Sequence, residues 1–226
     1  MRAIYFFAGP ERKGDLKSWL KILCEKDSLT LFMEEFDTLR PGRGQDLSVS
    51  STQEFWYSKL QTFHIVFCTP PCNTHSRATW ANSFGPRPLR SAAYPLGFPW
   101  LKDKDLEKVS EANSLVKFTW RVFKIVDKLK AKQNIVAFGE HPENLGRIVN
   151  GGPGDVPASI WNDPERLDLC KNGWWCGAYR QCKYKAPTPK PTRSICHFSH
   201  ITHRWWKGEG RHRLFFSLLG CCRTFR

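Results

Sequence analysis

The run Phe67–Arg77 contains the residues whose types and spacing most clearly suggest chemistry. Cys72 follows two prolines at the end of the apolar segment Phe63–Cys68. The prolines stiffen the backbone, and a short apolar segment predicts a buried β-strand. Such a strand would deliver the thiol to the carboxyl edge of a sheet, where open α/β folds bind ligands. The pattern is typical of a nucleophile, and a buried, inert cysteine in a turn is the alternative.

Glu140 is the second candidate reactive group. It follows the predicted strand Ile135–Phe138, so we expect it to project from the same edge of the sheet as Cys72. A thiol that attacks carbon and a carboxyl that gives a proton to a ring nitrogen can act together on one planar ring. A helix cap or a salt bridge is the alternative role for Glu140.

The first predicted strand, Ala3–Phe7, leads into a turn that could approach a cofactor. Gly9 and Gly14 frame this turn, and glycine allows close approach of the backbone to a ligand. The turn lacks the full Gly-x-Gly-x-x-Gly spacing, so an ordinary structural turn is also consistent with it.

Acidic and aromatic residues follow the second predicted strand, Leu29–Met33. Glu35 stands where doubly wound folds place an acid that binds a ribose diol, and Phe36 beside it could stack on an adenine. Asp46 could accept a hydrogen bond from an adenine amino group. An ordinary polar strand end and a loop aspartate are the alternatives.

These groups need a scaffold, and the rest of the sequence predicts one. Apolar strand-like segments alternate with helical patterns, including a long amphipathic helix over Asp103–Lys130, and the Pro-, Gly- and Arg-rich stretch Thr79–Trp100 predicts a long loop. Such alternation is typical of an α/β fold with a doubly wound, largely parallel Rossmann-like sheet.

Charge divides the 226 residues unevenly. The chain carries a net charge of +14, and residues 171–226 hold twelve Lys and Arg against one acid, which leaves +3 for residues 1–170. We therefore expect a catalytic domain over 1–170 and an irregular, basic, aromatic segment over 171–226. Tryptophans 174, 175, 205 and 206 accompany these charges, which favours nucleic acid as a partner, and a solvated tail is the alternative.

The order of these residues resembles the motif order of the DNA (cytosine-5) methyltransferase family. The most specific likeness is the nucleophile loop, Pro71-Cys72-Asn73-Thr74-His75-Ser76. The weaker likenesses are Phe7-Ala8-Gly9 for the first cofactor motif, Glu35-Phe36-Asp37 for the ribose and adenine clamp, Asp46 for the adenine-amino contact, and Glu140-His141-Pro142 for Glu-Asn-Val. The resemblance covers about residues 3–147. The chain is also similar to divergent methyltransferase-like proteins of protist mobile elements.

The sequence departs from the family pattern at several points. Pro10 follows Gly9 in place of a glycine-rich run, and His64 replaces an acid at the start of the catalytic strand. The 68-residue spacing from Cys72 to Glu140 is longer than usual. No target-recognition domain is evident.

The resemblance implies S-adenosylmethionine as cofactor and methyl transfer to cytosine C5 in DNA. In this scheme Cys72 adds to C6 of a base that has left the duplex, and Glu140 protonates N3. The implied cofactor-binding residues are Phe7, Gly9, Glu35, Phe36 and Asp46. The implied DNA-binding residues are Ser76, Arg77, Arg87 and Arg90 near the thiol, with Arg211 and Arg213 as the counterpart of the family's Arg-x-Arg motif.

Two other functions are compatible with the sequence. An amino-methyltransferase on adenine N6 or cytosine N4 would use a Pro-Pro loop, but Thr69-Pro70-Pro71-Cys72 lacks the aromatic residue that follows in those enzymes. A catalytically degenerate, nucleic-acid-binding protein of the same fold would explain the missing recognition domain.

Further expectations concern the surroundings of the protein. No apolar run reaches the roughly 20 residues needed to cross a bilayer, and no secretion signal is evident, so we expect a nuclear or cytoplasmic, reducing environment and no membrane partner. The Cys- and His-bearing stretch 170–203 has no Cys-x-x-Cys pair, so we expect no metal. The sequence does not indicate an oligomeric state.

Overall fold

The computed structural model describes residues 1–37, 46–80, 84–148, 155–184, 186–187 and 189–197. Six strands and four α-helices make up this part of the chain. In order they are β1 (Arg2–Phe6), α1 (Leu16–Lys26), β2 (Phe32–Phe36), α2 (Ser50–Lys59), β3 (Ile65–Cys68), α3 (Asp103–Leu129), β4 (Val136–Pro142), α4 (Pro164–Lys171), β5 (Trp175–Arg180) and β6 (Pro191–His197).

The strands form one sheet in the order β2-β1-β3-β4-β6-β5. The first four run parallel, and β6 lies antiparallel between β4 and β5. The chain leaves β1 toward one side to make β2 and then crosses to the other side to make β3. Doubly wound folds bind ligands outside the carboxyl ends of the strands at such a switch point, so the fold places a candidate crevice between β1 and β3.

Helices cover both faces of the sheet. Leu20 of α1 packs with Ala3, Ile65 and Phe67 on one face. On the other face, the larger core joins Phe6 and Val66 to buried side chains of the remaining three helices, including Trp56, Phe118, Phe123 and Leu169. The α/β, doubly wound architecture agrees with the alternation of elements in the sequence.

Local sequence signals account for the helices that flank the sheet. Asp15 begins α1, and its Oδ1 accepts a hydrogen bond from Ser18 N at 2.9 Å, as expected for a helix cap. The helix α3 has nearly the predicted bounds, with Val109, Val116 and Phe123 buried. None of the helices in the described part of the chain is both long and apolar enough to cross a membrane.

Three features differ from the expectations. The second strand lies three residues later than predicted and includes Glu35, and β4 continues through Glu140 to Pro142. The sheet also continues past residue 170, because β5 and β6 belong to it. Trp174 is 4% exposed and donates to Asp127 Oδ1 at 2.6 Å. The described residues between 171 and 197 are therefore part of the core domain and not a separate irregular segment.

Candidate active site

Cys72 lies in the loop that follows β3, and Glu140 lies within the neighbouring parallel strand β4, two residues before its carboxyl end. Cys68 ends β3 and pairs with Gly139 of β4, so Glu140 stands next to the loop that carries Cys72. This loop closes on itself, because His75 N donates to Cys72 O at 3.0 Å. The thiol is not in a disulfide. The expected adjacency of the two strand ends is therefore present.

Two residues next to the strands β5 and β6 contact Glu140. Lys190 Nζ lies 3.4 Å from Glu140 Oε1, and Gln181 Nε2 lies 3.5 Å from the same oxygen. The topology explains this arrangement. The strand β5 runs parallel to β4 and ends at this edge, and the antiparallel β6 begins there. Gln181 follows the last residue of β5 and Lys190 precedes the first residue of β6, so both lie at the edge where β4 ends.

Opposing effects set the acidity of the thiol. Partial burial raises the pKa of Cys72, Lys190 lowers it and Glu140 raises it again. Because burial dominates, the thiol is mostly protonated near neutral pH in this arrangement. The thiolate is the nucleophilic form, so burial limits how much of it is present, and the ammonium and the carboxylate change that amount in opposite directions.

The Gly9 turn forms the other end of the crevice. Gly9 has φ +72°, and a Cβ there would meet no atom of the described residues within 4 Å. Its N–H donates to Asp37 Oδ2 at 2.8 Å, so a carboxylate lies beside this open backbone. Thr69 Oγ1 donates to Phe7 O at 2.9 Å and joins the turn to the loop after β3. An acid beside a glycine turn at the switch point has the position expected for binding a ribose diol.

The expected cofactor roles of Glu35 and Phe36 disagree with their placement. Glu35 is 2% exposed, and its Oε2 lies 3.2 Å from Lys17 Nζ of α1. Phe36 packs in the core against Trp56, with ring centroids 4.3 Å apart. Both residues lie within β2, so their side chains point to the two faces of the sheet and not beyond its edge. Asp37 is the first residue past the strand.

Among the described residues, no contact relates Asp46 to this crevice. It is exposed, and its Oδ1 accepts from Ser48 N at 2.8 Å. Its expected contact with an adenine amino group stays a prediction.

The residues expected to bind DNA have different environments. Arg77 donates to Gly146 O and Arg147 O, both at 2.7 Å, and so joins the loops that follow β3 and β4. Arg87 is exposed and lies 2.7 Å from Asp105. Ser76 Oγ accepts from Ala78 N at 3.2 Å.

Arg90 requires a correction. It is 2% exposed, and its guanidinium donates to Pro95 O at 2.7 Å and Asn113 Oδ1 at 2.8 Å. A phosphate cannot reach a guanidinium enclosed in this way. Arg211 and Arg213 lie outside the described residues.

A cavity of about 130 Å³ lies beside the nucleophile loop. Asn73 and Thr74 of the loop form one side, and Arg87 and Lys108 contribute cationic groups to its lining together with Asp105. Because Arg87 is paired with Asp105, Lys108 is the cationic group of this lining that is not balanced by that carboxylate.

Sequence reasoning did not assign a role of its own to Asp37, Gln181 or Lys190. Asp37 could have been found from the strand period if β2 had been placed three residues later. The runs Gln181-Cys182 and Lys190-Pro191-Thr192 are visible in the sequence, but their position depends on an antiparallel strand insertion that no local pattern indicates.

Comparison with solved structures gives a distant likeness. The sequence matches no protein-family model and no curated protein. The crystal structure of the S. pombe Dnmt2 methyltransferase is similar at a TM-score of 0.39 and 9% identity, over 94% of this chain and 58% of that one. The chain thus spans less than two thirds of that protein's length. A likeness this distant does not identify a function, so the assignment of function rests on the residues of the site.

Proposed function

We propose that this protein transfers a methyl group from S-adenosylmethionine to cytosine C5 in DNA through a covalent adduct with Cys72. The observation that carries the proposal is that Glu140, near the carboxyl end of β4, stands beside the loop that carries Cys72 after β3, with Lys190 3.4 Å from the carboxylate. This set supplies a nucleophile, a proton donor and a cation at one edge of the sheet.

The Gly9 turn fits the cofactor. The open space beside Gly9 would admit a ligand close to the backbone, and the Asp37 carboxylate could accept hydrogen bonds from a ribose diol. S-adenosylmethionine, when bound, supplies an electrophilic methyl group. Thr69 connects the Gly9 turn to the nucleophile loop, which would hold cofactor and target base in fixed relation.

The residues of the chain would act on the target base in order. Lys190 favours the thiolate of Cys72, which forms a bond to C6 of the ring. The Glu140 carboxylate takes up a proton from solvent for this step and gives it to N3, so that negative charge does not accumulate on the ring. The electron pair at C5 then takes the methyl group as the methyl–sulfonium bond breaks and a neutral thioether leaves. Loss of the C5 proton to water expels the thiolate, and N3 returns its proton to the Glu140 carboxylate, which restores the ring.

Access to the base needs cationic contacts with DNA. The base must leave the duplex to meet a thiol in a crevice, and phosphate contacts fix its position. Arg87 and Lys108 line the cavity beside the nucleophile loop and would serve here.

A duplex that contains 5-fluorocytosine tests the covalent step. Fluorine cannot leave C5 as the proton does, so the adduct should accumulate when S-adenosylmethionine is present, and intact mass spectrometry should find one DNA strand on Cys72. Cys72→Ser should abolish the adduct and methyl transfer, and Cys182→Ser, at an exposed cysteine, should preserve both. Full transfer by Cys72→Ser, or N6-methyladenine or N4-methylcytosine as the product in nucleoside mass spectrometry, would contradict the proposal.

A further inference from the structure

A buried polar cluster of Arg90, His75 and His141 lies directly beneath the site. His75 is three residues from Cys72, and His141 follows Glu140. The two imidazole rings meet edge to face with centroids 5.3 Å apart, and Arg90 Nη1 lies 3.1 Å from His75 Nε2. All three side chains are at most 9% exposed. The cluster therefore joins His75, in the loop that carries Cys72, to His141, the residue after Glu140.

The contact with Arg90 fixes the tautomer of His75. A guanidinium nitrogen only donates, so His75 Nε2 must be the unprotonated, accepting nitrogen. The hydrogen then sits on Nδ1, which lies 3.4 Å from Thr74 Oγ1. Arg90 thus orients the imidazole of His75. The imidazole in turn contacts Thr74, which also belongs to the nucleophile loop.

Arg90 itself is held from three sides. The two hydrogens on Nη1 are shared among His75 Nε2, Pro95 O and Asn113 Oδ1. Asn113 belongs to α3, and its amide donates in turn to Leu96 O at 2.9 Å. Because α3 packs against the sheet, these contacts connect the nucleophile loop to the rigid core and not only to another loop.

We propose that Arg90 and His75 are positioning residues that hold the Cys72 loop against the end of β4, and so set the distance between the thiol and Glu140. The inference deepens the proposed function. The buried guanidinium contacts neither proposed reactive group and acts through His75. Charge supports this role, because burial and Arg90 lower the pKa of His75 to about 2, so the imidazole stays neutral and can accept from Arg90 at any working pH.

Two substitutions at His75 separate hydrogen bonding from ring packing. His75→Gln keeps an acceptor for Arg90, and His75→Phe keeps a ring without an acceptor. We expect His75→Phe to lose about ten- to a hundredfold in methyl transfer, and His75→Gln to stay within about twofold of the unaltered protein. Affinity for S-adenosylmethionine, which concerns the Gly9 end of the crevice, should be the same in both. Equal losses in the two variants, or none in His75→Phe, would overturn the proposal.

Thiol labelling gives a second measurement that does not depend on turnover. A released loop should expose Cys72, so iodoacetamide should label it several-fold faster in His75→Phe and in Arg90→Met. Cys68 is 0% exposed in β3 and reports global opening. Faster labelling of Cys72 with Cys68 still protected supports the positioning role. Unchanged labelling of Cys72, or equal labelling of both cysteines, contradicts it.

Pairing the substitutions completes the test. If Arg90 and His75 act as one unit, Arg90→Met with His75→Phe should label Cys72 no faster than the more reactive single variant, and additive effects would contradict the link. Absence of methyl transfer by the unaltered protein would contradict the proposed function instead, and labelling would still decide the positioning role.

Discussion

Lys190 Nζ lies 3.4 Å from Glu140 Oε1, although 50 residues separate them in the chain. Lys190 is partly exposed, and such pairs usually contribute little to stability. Its effect is instead local and electrostatic, because its charge lowers the pKa of Cys72 while that of Glu140 raises it. Burial has the largest effect on the pKa of Cys72, and this pair of opposite charges modifies it.

Glu140→Gln should make Cys72 more reactive toward iodoacetamide and yet suppress methyl transfer. Removing the carboxylate charge lowers the pKa of Cys72, so more thiolate forms at a given pH. Transfer should fall about 10²- to 10⁴-fold, because the amide cannot supply the carboxyl proton. Alkylation of Cys72 against pH and tritium transfer to DNA measure the two effects, with the exposed Glu111→Gln as control. Slower alkylation would contradict the electrostatic account.

Lys190→Met should have the opposite effect on the thiol. Without the ammonium the pKa of Cys72 rises, so alkylation near pH 8 should slow, and Lys190→Arg should restore most of the rate. Added salt should narrow the difference, since exposed charges are screened. The matched control is Lys132→Met, at an exposed lysine. Equal rates in Lys190→Met and the control would show that the ammonium does not act on the thiol.

Asp37→Asn should weaken binding of S-adenosylmethionine by about tenfold or more, as expected when a charged acceptor is removed. Glu35→Gln should leave this affinity unchanged and lower the melting temperature, because it removes the charge that pairs with Lys17. Calorimetric titration and thermal unfolding distinguish the two, with Glu34→Gln, at a half-exposed carboxylate of the same strand, as control. If only Glu35→Gln lost affinity for S-adenosylmethionine, Glu35 and not Asp37 would be the residue that binds the ribose.

Acid should destabilise the protein as the pH falls below about 6.5. Burial is the main cause that lowers the pKa of His75 to about 2 and that of His141 to about 3. Below pH 6.5 the unfolded chain therefore binds protons that the folded chain does not. For each of these two histidines, the free energy of unfolding should fall by about 1.4 kcal/mol per unit decrease in pH, until the pH approaches the pKa of that histidine in the folded protein.

Urea unfolding between pH 4 and 7 measures this slope. His141→Phe should reduce it by about one proton, and His64→Gln, at an exposed histidine, should not. An unchanged slope in His141→Phe would mean that the ring can be protonated in the folded state.

A chain that ends at His197 should keep the sheet and bind DNA more weakly. The removed residues 198–226 carry six Lys and Arg and one acid. Each phosphate that the shorter chain no longer neutralises should make the slope of log K against log salt shallower by about 0.9 on duplex DNA. Circular dichroism checks the fold, and binding at several salt concentrations checks the slope. The same slope in both chains would place the DNA-binding cations elsewhere.

Much of the fold could be predicted because its signals are local. The apolar segments at β1 and β3, the cap at Asp15 and the inner stripe of α3 each depend on residues close in sequence. The adjacency of Cys72 and Glu140 followed from them, because consecutive parallel strands end at one edge.

The remaining features depend on long-range structure. A three-residue shift of β2 moved Glu35 inside the strand and left Asp37 at the edge. The burial of Arg90 depends on α3 and on the loop that surrounds its side chain. The Pro-, Gly- and Arg-rich sequence around Arg90 suggested instead an exposed arginine that binds phosphate. The antiparallel insertion of β6 brought Lys190 to the site, and no periodicity in the segment indicated that order.

The insertion of β6 also means that the site is completed late in synthesis, because Lys190 and β6 follow Cys72 and Glu140 in the chain. At ordinary translation rates of 5–20 residues per second, Glu140 is made roughly 2 to 10 s before Lys190. During that interval a nascent chain has the thiol and the carboxylate but lacks the ammonium, and β4 lacks its antiparallel partner. Cys72 therefore reaches its final electrostatic environment only after β6 has paired with β4, because Lys190 arrives with that strand.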